Sequence, residues 1–299
     1  MILPVLRHLT YISSSTYLTW QKCQHKVYLT KLAGHPYLPP NVGASAIMGT
    51  CFDAIIKDYL AKKKGINNPI LKLDRVFKEI KHEDKDAVIA NAYVVAGQYI
   101  KHGLADKLLA SQDIKLEQEL YRVINGVPIL GRLDAILDGL PFDWKTRGFY
   151  SKYTASPHAN YAYKVSGISG EVTAPNTTPL FDLEEINPAW ATQLIFYNWL
   201  VGKFSDFYFR VHEVCHQKKD IIFVEYEGTI SDEFANKLFG NVKKMWEQIH
   251  DDRYNATIAE PQPSYDLCHE YNCQCEAAVY CKSYERWLER SSKDELELA

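Results

Sequence analysis

A chain of 299 residues with 46% hydrophobic and 24% charged residues can bury a substantial core and has the composition of an ordinary globular protein. Its net charge of −3 argues against a general polyanion-binding surface, while leaving room for a local basic groove. No run of 18 uninterrupted apolar residues occurs, so no membrane span is expected. The opening MILPVLRHLTY has neither a basic start nor a small-residue cleavage site, and an intracellular protein is the default expectation.

Ser13-Ser14-Ser15 is an N-cap cluster that opens a helix over about 16–31, with Cys23 near its middle. A single helical cysteine is ordinarily a small buried hydrophobe. A Gly- and Pro-rich loop from Gly34 to Pro40 follows. Ala44–Lys64 then reads as an amphipathic helix, because Ile47, Met48, Cys51, Phe52, Ile55, Ile56, Tyr59 and Leu60 recur at helical spacing. Gly49 and Asp53 lie one turn apart on the flank of that stripe. Lys62-Lys63-Lys64-Gly65 ends the helix with cations and a glycine, the usual C-terminal chemistry. Another helix covers about 84–102, closed by His102-Gly103, with a short helix after it.

The stretch from Gln112 to Arg147 is the most informative in the chain. Asn125-Gly126 and Asp138-Gly139 each sit between β-type runs, and both are hairpin signals. Read as two-residue turns, they predict antiparallel strands over 114–124, 127–137 and 140–146. Counting outward from the turns sets Glu117 opposite Asp134, and Asp134 opposite Asp143. Three carboxylates then stand in a row, with Lys145 on the same face two residues beyond Asp143. Like charges stacked across strands repel, so stability alone does not explain them. A hard divalent cation such as Mg²⁺ or Mn²⁺ does.

Residues 148–185 are rich in Tyr, Ser, Thr, Gly, Asn and Pro without a sustained period, and read either as a functional loop or as a tolerated insertion. Asn187-Pro188 introduces a helix over about 188–202 that carries Gln193 and Tyr197 on one face. A second hairpin, Asp206–Cys215 with Ile221–Ile230, leads to a Ser231-capped helix over about 232–250. After Pro261-x-Pro263 come Cys268, Cys273, Cys275 and Cys281, four cysteines within fourteen residues. Such crowding in a reducing compartment points to zinc or an iron–sulfur cluster. A zinc site would draw on these residues and His269, but its usual paired CxxC spacing is absent.

Several of these segments resemble one family. Gly131-Arg132-Leu133-Asp134 followed by Asp143-Trp144-Lys145 resembles the GxxD … DxK core of the PD-(D/E)XK nuclease superfamily. Gln193 and Tyr197 resemble the QxxxY motif of its RecB-like branch. The segment from Ser13 through Cys23 to Tyr28, and the late cysteines, resemble the iron–sulfur RecB- and AddB-like members, related to CRISPR-associated adaptation exonucleases. In that branch a histidine on the glycine-bearing helix ligands the metal, and here the matching position holds Asp53.

The resemblance implies an α/β fold with a PD-(D/E)XK restriction-endonuclease-like core, in which a central mixed sheet begins with the antiparallel meander and is flanked by helices. It also implies termini stapled by a [4Fe–4S] cluster. One nuclease domain spans 1–299, with a helical part at about 1–111, a catalytic core at about 112–250 and a cysteine segment at about 260–299. By the same resemblance Asp134 and Asp143 are expected to hold Mg²⁺ or Mn²⁺, assisted by Glu117 or Glu119, Asp53 and the Trp144 backbone carbonyl. Lys145 serves the attacking water or the phosphate, and Gln193 and Tyr197 position the strand. Cys23, Cys268, Cys275 and Cys281 ligate the cluster, with Cys273 as the alternative to Cys268. The implied substrate is DNA, single-stranded or with a free end, and the implied activity is an exonuclease working beside recombination or replication proteins. The rival expectations are an inactive nucleic-acid-binding iron–sulfur module and a zinc-stapled interaction protein.

Overall fold

The computed structural model describes residues 9–35, 44–67, 73–80, 84–148, 188–217, 220–259, 275 and 277–281. All but the first residue of the expected insertion, together with Cys268 and Cys273, lies outside the described residues. The chain forms two compact units. One comprises Met1–Asn41, Val123–Ile129 and Lys237–Ala299, and the other comprises Val42–Arg122 and Leu130–Asn236.

In the first unit the expected single helix is broken. Helix α1 (Ser14–Lys22) is capped by Ser13, whose Oγ accepts from the Thr16 amide at 3.2 Å. Cys23 is not mid-helical: its backbone is extended (φ −155°, ψ 100°), which ends α1. Its Sγ accepts from the Lys26 amide at 3.4 Å and caps α2 (Gln24–Val27), which runs into a π-helical turn, Tyr28–Leu32. A thiol able to accept a backbone N–H makes this break affordable, because orphan amides at a helix start need a partner. The α1–α2 pair packs on a later helix of the same unit, Asp252–Ile258: Trp20 stacks on Tyr254, and the His25 Nδ1–H donates to the Ile258 carbonyl at 2.9 Å.

The second unit holds the sheet. Helix α3 (Ala44–Lys64) packs with α5 (Lys85–Lys101) and α6 (Leu104–Leu109) around an apolar cluster that includes Met48, Phe52, Ile56, Tyr99 and Leu108. Helix α4 (Leu73–Glu79), which the sequence reading did not include, buries no residue fully, although Leu73 and Phe77 are partly buried against the apolar cluster. Strands β1 (Ile114–Ile124), β2 (Val127–Leu137) and β3 (Leu140–Gly148) follow at the expected places. Asn125 and Gly126 (φ 46° and 82°), then Asp138 and Gly139 (φ 51° and 80°), supply the two left-handed residues that a type I′ turn requires. The β2–β3 register, with Ala135↔Phe142 and Leu137↔Leu140, is the one that sets Asp134 opposite Asp143.

The sheet order is β1-β2-β3-β4-β5. β4 (Phe207–Gln217) runs parallel to β3, which requires a crossover, and α7 (Pro188–Val201) lies in it. β5 (Asp220–Ile230) pairs antiparallel with β4 from Phe207↔Ile230 to Gln217↔Asp220. This hairpin is longer than the sequence pattern predicted, because backbone ladder bonds continue through polar residues 216, 217 and 220. Helix α8 (Asp232–Ile249) then buries Leu238, Val242, Met245 and Ile249 along one stripe, and α9 is the helix Asp252–Ile258. Among the described residues no helix is long and apolar enough to cross a membrane.

Helix α3 approaches β3 closely at Gly49, where an added Cβ would overlap Thr146 Oγ1. Overpacking of this kind costs about 1–3 kcal/mol, against a helix-propensity gain of about 1 kcal/mol for alanine over glycine. Gly49→Ala is therefore expected to lower the urea midpoint, and adding Thr146→Ala should restore part of it. A Gly49→Ala protein at least as stable as wild type would show that the helix and strand can separate freely.

Candidate functional site

Five elements of the second unit contribute to one polar site. α3 supplies Asp53 and Lys57, β1 supplies Glu117, β2 supplies Asp134, β3 supplies Asp143 and Lys145, and α7 supplies Gln193 and Tyr197. Alternation along β3 divides its residues: Phe142 and Trp144 enter the apolar cluster with α3 and α5, so Asp143 and Lys145 leave from the other side. The Trp144 indole donates to the Tyr99 hydroxyl at 3.1 Å, which anchors β3 at the point where the two polar residues flank it.

The sequence reading missed the residue at the centre, Lys57. Its side chain is 1% exposed, and its ammonium donates to Asp53 Oδ2 at 2.6 Å, to Asp134 Oδ1 at 2.8 Å and to Glu117 Oε1. Oxygens of Asp53, Glu117 and Asp134 all lie within 4.8 Å of one another. Arg132 Nε meets the second Glu117 oxygen at 2.8 Å. A signal was present: Lys57 follows Asp53 by one helical turn, far from the ordinary lysine cluster at the end of α3. Of the two candidate glutamates, Glu117 joins the group and Glu119 is exposed. Glu117 has φ 53°, a left-handed conformation worth about 1–3 kcal/mol of strain in a non-glycine residue, which interrupts the regular alternation of β1.

Beside this group runs a second chain of contacts. Asp143, 1% exposed, is ion-paired with the Lys145 ammonium. Lys145 donates to Gln193 Oε1 at 2.7 Å, and the Gln193 amide donates to the Tyr197 hydroxyl at 2.6 Å. The spacing of four residues on α7 is what aligns the amide with the phenol. Gln193 thereby fixes the lysine through its oxygen and the tyrosine through its nitrogen.

Electrostatics separate the carboxylates. Burial drives the Asp143 carboxyl well above the usual range, with the Lys145 charge opposing and the neighbouring Asp134 reinforcing the rise. Burial pushes Asp134 upward too, but a hydrogen bond with Asp143 and the Lys57 ammonium outweigh it and hold Asp134 below the usual range. Burial and then the Asp134 charge push Asp53 up to about 7, against the pull of Lys57. Burial works against the Lys57 charge, yet Asp53, Asp134 and Glu117 together hold its pKa above the ordinary lysine value. Tyr197 is raised by burial and by the charges of Asp143 and Asp134, so it stays a neutral phenol.

These residues fit a hard divalent cation. The donors are carboxylate oxygens, and Asp53 Oδ1 is buried without a hydrogen-bond donor among the described residues. In the first unit, Cys23, Cys275 and Cys281 carry no disulfide. Burial raises the Cys23 thiol first, and Cys275 and Cys281 lie close enough to add to that rise. Cys281 also hydrogen-bonds with His25. Three of the five candidate cluster cysteines are thus brought into electrostatic range, while Cys51 is an apolar core residue of α3.

The raised Asp53 carboxyl has a thermodynamic consequence. Between its unfolded range near 4 and its folded value of about 7, the native state binds the extra proton, so stability is greatest on the acid side and declines as pH rises through that window. Asp143 shifts in the same direction, whereas Asp134 and Lys57 complete their titration outside this window. The Asp53 side chain is 28% exposed, so solvent screens part of the effect. In chelator, the protein should melt at higher temperature at about pH 5.5 than at about pH 8, and Asp53→Asn should flatten the difference. A melting temperature that climbs over this range would contradict the assignment.

With the geometry described, comparison with known proteins adds the fold. No family profile matches the chain, and no curated protein matches it. The crystal structure of a protein from Eubacterium rectale, provisionally described as an exonuclease, superposes with a TM-score of 0.50 at 13% sequence identity, covering 86% of this chain and 85% of that one. The structure of SSO0001 matches 78% of this chain and 98% of its own at 18% identity, with a TM-score of only 0.30. The chain shares the mixed α/β fold of the Eubacterium rectale protein: a five-stranded sheet flanked by helices.

Proposed function

We propose that the chain is a divalent-metal-dependent deoxyribonuclease that hydrolyses phosphodiester bonds. In this reading it is an exonuclease of the iron–sulfur RecB- and AddB-like branch of the PD-(D/E)XK superfamily, acting in recombination, repair or replication. The observation that carries the reading is the convergence of Asp53, Glu117, Asp134, Asp143, Lys145, Gln193 and Tyr197 on one site, from segments far apart in the chain. The description of the Eubacterium rectale protein agrees with it.

Asp134 and Asp143, with Asp53, Glu117 and the Trp144 carbonyl, hold Mg²⁺ or Mn²⁺. When bound, such an ion lowers the pKa of water and neutralises phosphate charge. Lys145, fixed between Asp143 and Gln193, orients the attacking water or offsets negative charge at phosphorus. Tyr197, a neutral phenol held by Gln193, hydrogen-bonds the DNA strand. In the same reading Cys23, Cys275 and Cys281, with Cys268 or Cys273, ligate a [4Fe–4S] cluster that staples the early helix to the tail. A second reading, an inactive nucleic-acid-binding module, draws on one observation: the Lys57 ammonium stands among the carboxylates that would take the ion.

End-labelled linear DNA and closed circular DNA, single- and double-stranded, should be incubated with Mn²⁺ or Mg²⁺. Wild type should degrade linear DNA and spare circles, and Lys145→Ala or Asp143→Asn should lower the rate by about 10²–10⁴-fold. Equal cleavage by wild type and both variants would overturn the site, and no cleavage by any of them would favour the binding module. Anaerobically purified protein should contain iron, and Cys281→Ala should lose iron and melt earlier. An unchanged melt in that variant would count against the staple.

A further inference from the structure

Lys57 is the feature that neither the motif pattern nor the proposed chemistry uses. It is buried, central, and bonded to three carboxylates from three different elements. Resting on the nuclease reading, we propose that Lys57 is a resident counterion of the metal site: its ammonium holds Asp53, Glu117 and Asp134 together, and a divalent cation must displace it to bind.

The argument is one of shared volume. Oxygens of Asp53, Glu117 and Asp134 lie within 4.8 Å of one another, and the ammonium contacts an oxygen of each residue. A divalent ion drawing on the same oxygens cannot share that space with a positive charge. A permanently bridging lysine would leave the ion only Asp143 and the far edge of Asp134. Displacement is feasible because lysine is a point charge on a flexible four-carbon stem. There is also room to receive it. A cavity of about 390 Å³ opens beside the ammonium, walled by Thr50, Lys57, Arg75, Glu79, Glu117 and Arg132. Glu79 is exposed on that wall, where it pairs with Arg75 at 3.4 Å. It is the carboxylate on the cavity wall, outside the three already bound, that a released Lys57 would meet.

The role separates from ordinary structural pairing by the direction of one effect. If Lys57 competes with the ion, Lys57→Met should bind Mn²⁺ at least about tenfold tighter than wild type, measured by the electron paramagnetic resonance signal of free Mn²⁺. The same variant should melt earlier in chelator and recover with Mn²⁺. In wild type, an amine-acylating reagent followed by mass spectrometry should label Lys57 slowly in chelator and faster at saturating Mn²⁺. Equal or weaker Mn²⁺ binding by the variant, absence of binding by both proteins, or unchanged Lys57 labelling would each overturn the proposal. Should Lys57→Met fail to fold in either condition, the wild-type labelling decides alone. DNA cleavage with unchanged Lys57 labelling would leave the nuclease reading intact and remove only this inference. Ion-dependent labelling without cleavage would do the reverse.

Discussion

Three carboxylates drawn to one point by a buried lysine set the local architecture of this protein. Without a cation, Asp53, Glu117 and Asp134 would repel across distances at which like charges in a partly desolvated site cannot all stay ionised. Lys57 solves the problem from within the chain, and the solution ties α3 to β1 and β2 through side chains alone. Breaking a buried pair by deleting one partner leaves uncompensated charge, which is far costlier than the pair's net worth. Under the proposed role of Lys57, the arrangement that holds these carboxylates together is the one an incoming ion would have to undo.

The second polar chain is built differently. Asp143, Lys145, Gln193 and Tyr197 connect β3 to α7 in a line of alternating charge and hydrogen-bond polarity. Lys145 is held by two acceptors, Asp143 and Gln193, so it cannot rotate away without stranding the Gln193 amide oxygen. Precision here comes from regular elements: strand alternation separates Asp143 and Lys145 from the core residues Phe142 and Trp144, and a spacing of one helical turn aligns Gln193 with Tyr197. Where the fold departs from regularity, at left-handed Glu117 and at extended Cys23, the departing residue is itself one of the candidate ligands. Strain at a left-handed residue such as Glu117 is retained only when the surroundings over-determine it.

Much of this was legible in the sequence, because it depended on local rules. The dipeptides Asn125-Gly126 and Asp138-Gly139 dictated type I′ turns, and the turn at Asp138-Gly139 dictated the β2–β3 register that sets Asp134 opposite Asp143. The amphipathic stripe of α3 and the Gln193–Tyr197 spacing were equally local. What depended on contacts between distant segments was not legible. Lys57 gave no signal beyond its spacing from Asp53, since only the fold brings Glu117 and Asp134 to its ammonium. Cys23 read as mid-helical, since its thiol cap is worth a hydrogen bond that helix propensity does not count. Helix α4 spans only seven residues, too few for the spacing of Leu73, Val76 and Phe77 to stand out, and the parallel pairing of β3 with β4 depended on a crossover through residues whose sequence carries no period. Sequence by itself determined the turns and the β2–β3 register, because these follow from backbone sterics and side-chain alternation within a few residues. Tertiary structure alone decided which cation the acids meet, because charge pairing across elements depends on distances that no local pattern encodes.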